Sequence, residues 1–185
     1  CMRSGGDGLI VSAISADGLK DLVTELLDQG KPVIDLINGM NAPGMTARAA
    51  VNFWDNGNQI GRYLIGVSAG KPTRVLWFPG PEGAAWSQAG NRGFREALEG
   101  SAIEILETAW GDTGRARQTE LIEAALGRFS QVDYIVGTSV SAEAAVDFLR
   151  ERGLTKKTRV MAYYYGPGVH RGIRRGHILA APTDK

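Results

Sequence analysis

Short apolar runs of strand length alternate with amphipathic stretches along almost the whole chain. The runs "DGLIVSAI" (7–14) and "KPVIDLING" (31–39) are apolar without interruption, a pattern typical of strands buried on both faces. Between them, "ADGLKDLVTELLDQG" places its leucines on one face of a helix. Strict alternation of strand and helix favours parallel strands, because each helix returns the chain to the starting edge of the sheet. The sequence therefore predicts an α/β fold with helices on both faces of parallel sheets.

This regular pattern is interrupted at "NGMNAPG" (38–44), where two glycines and a proline break the alternation. The interruption predicts two lobes joined near this point. Residues 1–40 hold only two strand patterns, so we expect an incomplete N-terminal lobe whose apolar strand edges are poorly ordered or covered by another chain. The predicted division is 1–40 for part of the N-terminal lobe, 41–50 for the hinge or crossover, 51–165 for the C-terminal lobe and 166–185 for a return segment toward the hinge.

The C-terminal lobe is predicted to begin with a long helix over residues 45–70, although internal glycines weaken that pattern. Four strand patterns follow, each separated from the next by a helical pattern. They are expected to share one parallel sheet, with "GLIVSAI" (8–14) lying outside it. The four strands are residues 75–78, 103–106, 133–136 and 159–163.

Composition and motifs argue against several classes of function. The formal net charge of +1 provides no field for gathering nucleic acid or an acidic membrane surface, and no apolar run is long enough to span a bilayer. The single cysteine, Cys1, allows neither an internal disulfide nor a CxxC metal site. Glycine-rich nucleotide loops are absent, and His170 and His177 lie in a basic segment without acidic ligands. We therefore predict a protein that is not an enzyme and uses no cofactor or metal.

Aromatic residues stand at the ends of the predicted strands of the second lobe. Trp77 and Phe78 fit ordinary core positions, whereas Trp86 follows a glycine-proline corner, Trp110 precedes "GDTG", and Tyr164 closes the last strand. Carboxyl ends of parallel strands gather at one edge, where ligands of such folds bind. We predict a ligand site formed by Trp86, Tyr164, Trp110 and Asp112. Aromatic faces with few charges suit a small cationic or methylated amine.

Several segments resemble the type I periplasmic binding proteins of the ribose-binding and LacI-effector group. "NRGFREAL" (91–98) and "VMAYYYGPGVHRGIRRGHILAA" (160–181) carry the general resemblance. "WFPGPEGAAW" (77–86) and "TAWGDTGRARQ" (108–118) are similar to the members that sense trimethylamine N-oxide. The resemblance implies a periplasmic, non-catalytic receptor with trimethylamine N-oxide as ligand and the periplasmic domain of a membrane sensor histidine kinase as partner. Family members are longer at both ends, in agreement with an incomplete lobe.

Three alternative functions remain open from the sequence. The chain also fits a sugar- or amine-binding protein of a transport system, a LacI-type effector domain, or an α/β enzyme whose active residues lie outside these 185 residues. Sugar binders commonly carry Asp on the closing strand, where this chain has Tyr164. That difference disfavours a sugar, since sugar hydroxyls bind best to carboxylates and amides.

Overall fold

The first part of the chain forms a small parallel sheet with one helix on it. The structure is a computed structural model that describes residues 5–183. The first unit of the structure contains β1 (Leu9–Val11), α1 (Lys20–Asp28), β2 (Val33–Ile37) and β3 (Ala47–Ala50). The strand order is β1-β2-β3, and every pair is parallel. Cys1 and the end of the predicted return segment, residues 184–185, lie outside the described range.

The rest of the chain forms a second parallel sheet covered by helices. Its elements are α2 (Phe53–Ser68), β4 (Thr73–Gly80), α3 (Ala85–Leu98), β5 (Ile103–Trp110), α4 (Arg115–Arg128), β6 (Tyr134–Gly137), α5 (Ser139–Glu151), β7 (Arg159–Ala162) and α6 (Pro167–Arg174). The strand order is β5-β4-β6-β7, so the four predicted strands share one sheet and β1 lies outside it, as predicted. No helix among residues 5–183 combines the length and apolar character needed to cross a membrane.

The structure corrects the predicted helix over residues 45–70. Ala47–Ala50 forms β3, which pairs with β2, and the helix begins only at Phe53. The Asn52 side chain marks that start, because its Oδ1 accepts a hydrogen bond from the Asp55 amide at 3.1 Å. Alanine has a high helix propensity, but strand pairing with β2 overrides it here. The placement of a hinge at 41–50 stays a prediction, although part of that segment belongs to the first sheet.

An ion pair fixes β3 against β2. Arg48 Nε lies 2.8 Å from the Oδ2 atom of Asp35, a fully buried carboxylate on the neighbouring strand. The same Oδ2 accepts a hydrogen bond from the Met40 amide at 3.0 Å, and Arg48 also donates to the Met40 carbonyl at 2.7 Å. A buried carboxylate requires such partners, so the pair specifies the register of β2 with β3.

One face of the first sheet is open. Val23 and Leu26 of α1 are buried with Val33 against one face, whereas Ile10 is 67% exposed and Leu36 is 37% exposed. Apolar residues on this face of the first sheet are therefore exposed among residues 5–183. The predicted cover by another chain stays a prediction.

Two helices of the second unit approach each other closely through glycines. A Cβ atom added to Gly93 of α3 would lie 1.9 Å from the Trp54 carbonyl oxygen of α2. One added to Gly57 of α2 would lie 2.1 Å from the Gly90 carbonyl oxygen of α3. Gly57, one of the glycines that weakened the helical pattern in the sequence, therefore permits this packing together with Gly93 of α3.

The core of the second sheet contains the aromatic pair at the end of β4. Trp77 and Phe78 are both fully buried, which confirms their prediction as core residues. The Trp77 ring stacks on Phe94 with 4.2 Å between ring centroids, and its Nε1 donates to Asn91 Oδ1 at 3.0 Å. A buried indole thus has both apolar packing and a partner for its N–H group.

Candidate functional site

A cavity of about 670 Å³ lies where the carboxyl ends of strands from both sheets meet. The first sheet contributes Ile14, Ile37 and Asn38, which follow or end β1 and β2. The second unit contributes residues that follow β4, β5 and β7, together with the first residue of α2. Among these are Phe53, Trp86, Asp112 and Tyr164. Carboxyl-edge crevices are the usual ligand sites of parallel α/β sheets, so this cavity is the candidate site.

Trp86 occupies the first turn of α3 and is half-buried. Its ring lies 5.4 Å from Phe53 and 6.0 Å from Tyr164, measured between ring centroids. Gly80, at the end of β4, has a φ of +111°, and a Cβ atom there would lie 2.5 Å from the indole. Glycine at this corner therefore both permits the backbone turn and makes room for the indole ring at the cavity.

Tyr164 lies just beyond β7, among the same rings. Its centroid is 6.0 Å from that of Phe53, and its hydroxyl lies beside Ser139 and Thr138 at the start of α5. Burial raises the pKa of Tyr164 by more than these polar neighbours lower it. The phenol therefore stays neutral and keeps its proton at physiological pH.

The two neighbouring tyrosines differ in their surroundings. Tyr163 is fully buried, and its hydroxyl donates to the Pro79 carbonyl at 2.7 Å. Tyr165 lines the cavity beside Tyr164 and hydrogen-bonds with His170 Nδ1. Tyr164 and Tyr165 both line the cavity, because β7 ends at Ala162 and strand alternation does not extend to them.

Asp112 lies in the loop after β5 and lines the cavity. Its carboxylate makes no hydrogen bond or ion pair with any of residues 5–183, and it is the one formally charged side chain at neutral pH among the described lining residues. The cavity thus carries a single negative charge. Such a charge favours a cationic or amine-derived ligand.

Three of the four predicted site residues lie around this cavity, and Trp110 does not. Trp110 is the last residue of β5 and is half-buried outside the lining, which begins two residues later at Asp112. The ligand-binding roles of Trp86, Asp112 and Tyr164 stay predictions. Sequence reasoning missed Phe53, because the predicted helix began eight residues too early, at residue 45.

Ile37 lines the cavity in a strained backbone conformation. Its φ is +69°, and the amide of Asn38 donates to the Leu36 carbonyl across it at 2.8 Å. A left-handed conformation is unusual for a β-branched residue, and such strain concentrates at functional sites. The Asn38 side chain secures the turn by donating to the Ala13 carbonyl at 2.9 Å.

We expect Ile37→Gly to preserve the stability of the fold or to raise its free energy of unfolding by up to about 1 kcal/mol, because relief of strain offsets the lost side chain. Ile34→Gly, on the same strand without positive φ, is the matched control and should destabilise. Chemical denaturation of both variants measures the difference. Equal losses at the two positions would contradict strain at Ile37.

The described residues contain no cluster suited to a metal ion. Among residues 5–183, no three His, Cys, Asp or Glu side chains converge in a geometry that could hold one.

A family of known proteins and one relative match almost the whole chain. The periplasmic binding protein domain family matches residues 2–181. Periplasmic protein TorT of Escherichia coli strain K12 is 34% identical over all 185 residues, and the chain spans 53% of the length of TorT. The chain therefore corresponds to about half of this relative.

Solved structures that are similar to the chain include a transporter solute-binding protein and two TorS–TorT complexes. A solute-binding protein of an ABC transporter from Bradyrhizobium sp. BTAi1, solved with bound bis-tris, is 47% identical with a TM-score of 0.74. That match covers 96% of this chain and 54% of the other. TorT in complex with the TorS sensor domain is 26% identical, with TM-scores of 0.85 without ligand and 0.83 in the presence of TMAO (trimethylamine N-oxide). Those matches cover all of this chain and 64% and 63% of the other chains, respectively.

Proposed function

Since the chain belongs to the periplasmic binding protein domain family, we propose that it is part of a non-catalytic periplasmic receptor for a small methylated amine. The proposed ligand is trimethylamine N-oxide, and the proposed partner is the periplasmic domain of a sensor histidine kinase. The observation that carries the proposal is the cavity in which the rings of Phe53, Trp86 and Tyr164 lie within 6.0 Å of one another beside one carboxylate.

The chemistry of the cavity supports a methylated amine. Methyl groups on a positive nitrogen are attracted to aromatic faces, with a contribution of roughly 0.5–2 kcal/mol per ring, depending on desolvation. Trimethylamine N-oxide adds an oxygen that accepts hydrogen bonds, and the neutral phenol of Tyr164 or the indole N–H of Trp86 are the candidate donors. Asp112 provides a negative charge toward the nitrogen.

The same cavity offers little for a sugar. Sugar hydroxyls need several carboxylates and amides, whereas the lining has one carboxylate and one amide side chain, Asn38. That amide already donates to the Ala13 carbonyl. The chain spans 53% of the length of TorT, so we expect further walls of the site to come from residues outside these 185.

The proposed partner follows from the similarity to TorT. The chain is 34% identical to TorT over its whole length and is similar in fold to TorT bound to the TorS sensor domain. We expect the full-length protein to form a complex with a kinase sensor domain from the same organism. Gel filtration of the mixed proteins, with and without ligand, tests this interaction.

A second candidate is a solute-binding protein that delivers an amine to a transporter. It is favoured by the 47% identity to the transporter protein solved with bis-tris, a tertiary amine that carries hydroxyl groups. The two candidates share the fold and the amine site and differ in partner. If the full-length protein binds a permease and does not bind a kinase sensor domain, its function is transport.

Calorimetry on the full-length protein tests the ligand directly. We expect trimethylamine N-oxide and trimethylammonium to bind, while ribose does not. Binding of ribose alone would overturn the amine proposal and favour a sugar-binding protein.

Replacing Asp112 by asparagine is expected to weaken trimethylammonium roughly fivefold to tenfold, because the carboxylate acts across a partly exposed site of intermediate dielectric. Trimethylamine N-oxide has no net charge and should lose less affinity. Glu151→Gln, on the surface at the end of α5, is the control for a general effect of charge. Equal losses for both ligands would contradict a role for the charge of Asp112.

A further inference from the structure

Gln118 is a fully buried polar residue on α4, outside the cavity. Its side-chain nitrogen donates to the carbonyl oxygens of Gly111 at 3.2 Å and Asp112 at 2.7 Å. Its side-chain oxygen accepts a hydrogen bond from Ser141 Oγ at 2.8 Å. The amide thus connects the backbone of the cavity loop to the first turn of α5, with both its nitrogen and its oxygen satisfied.

The connection continues from Ser141 to the other side of the cavity. Ser141 Oγ lies 2.5 Å from Thr138 Oγ1, and Thr138 Oγ1 accepts from the Ser141 amide at 3.1 Å as the N-cap of α5. Thr138 and its neighbour Ser139 lie beside the hydroxyl of Tyr164. A continuous chain of hydrogen bonds therefore runs from the Asp112 backbone to Thr138, next to the Tyr164 phenol, largely shielded from solvent.

We infer that Gln118 is a positioning residue that fixes the Asp112 loop relative to Tyr164 across the ligand cavity. Its effect on affinity rests on the function proposed above, whereas its effect on the loop does not. The residue type fits the role, because an amide donates to two carbonyls and accepts from a hydroxyl at the same time. Glutamate has no donor for the carbonyls, and an apolar side chain has neither donor nor acceptor.

Gln118→Met, Ser141→Ala and the double variant test this inference in the full-length protein. Methionine has a similar length without the hydrogen bonds. Thr158→Val is the matched control, since Thr158 is buried at the opposite edge of the same sheet and its Oγ1 donates to the Val132 carbonyl at 2.7 Å. Hydrogen exchange followed by mass spectrometry reports on the loop, calorimetry with trimethylamine N-oxide reports on the site, and thermal melting reports on stability.

We expect Gln118→Met to accelerate amide exchange in the 111–114 loop and to raise the dissociation constant about tenfold, as expected for a lost buried hydrogen-bond partner. Ser141→Ala should act in the same direction, and the double variant should show less than the sum of the two effects because both residues belong to one chain of hydrogen bonds. Thr158→Val should lower the melting temperature while leaving loop exchange and affinity unchanged.

Two results would overturn the inference. One is unchanged exchange in the 111–114 loop of Gln118→Met, and the other is full additivity of the two single variants in loop exchange. If the wild-type protein binds none of the methylated amines, the proposed function fails, while the exchange data still decide the role of Gln118.

Discussion

Replacing Gly93 by alanine is expected to lower the free energy of unfolding by about 1–3 kcal/mol or more, the cost typical of overpacking. The new Cβ atom would lie 1.9 Å from the Trp54 carbonyl oxygen, 2.8 Å from its carbonyl carbon and 3.0 Å from the Asn58 amide nitrogen. All of these are backbone atoms of α2, which no change of rotamer moves aside. The two helices must therefore separate, and the apolar contacts between them weaken.

Gly66→Ala is the matched control for this prediction. Gly66 lies on α2 as well, but a Cβ atom there meets no heavy atom within 4 Å. Alanine should therefore stabilise this exposed helical position by roughly 0.5–1 kcal/mol. Urea denaturation of both variants measures the two effects. A Gly93→Ala protein as stable as the wild type would contradict the close approach of α2 and α3.

The strands β4, β6 and β7 could be predicted because they are largely buried on both faces, and such burial produces a continuous apolar run. The strand β3 could not, because Ala47–Ala50 is exposed and carries no apolar pattern. Its position depends on pairing with β2 and on the contact between Arg48 and Asp35. Both are tertiary contacts, which the local sequence of β3 does not indicate. Missing β3 also displaced the predicted start of α2.

The site could be predicted in part, because parallel topology collects strand ends at one edge. Trp86, Asp112 and Tyr164 follow three different strands and line one cavity. The contribution of Ile37 could not be predicted, because a β-branched residue rarely adopts a positive φ and nothing in the sequence indicates one here. Gln118 was missed because a glutamine within a helix usually faces solvent, and only tertiary packing shows that this one is buried.

Replacing Trp86 by alanine is expected to raise the dissociation constant for trimethylamine N-oxide about thirtyfold, which corresponds to roughly 2 kcal/mol for the loss of a desolvated ring. The reason is geometric, since the Trp86 ring lines the cavity and its centroid lies within 6.0 Å of those of Phe53 and Tyr164. Calorimetry on the full-length variant measures this loss. Because Trp86 is only half-buried, the free energy of unfolding should fall less than for a core tryptophan.

Trp77→Ala provides that comparison within the same strand-to-helix unit. Trp77 is fully buried and stacks on Phe94, so its truncation should cost about 3–5 kcal/mol of stability through the cavity it leaves. The two tryptophans are nine residues apart, yet one lies in the core beneath the sheet edge and the other at the ligand cavity. If Trp86→Ala instead leaves affinity unchanged and destabilises the protein as much as Trp77→Ala, then Trp86 is a core residue and the binding site lies elsewhere.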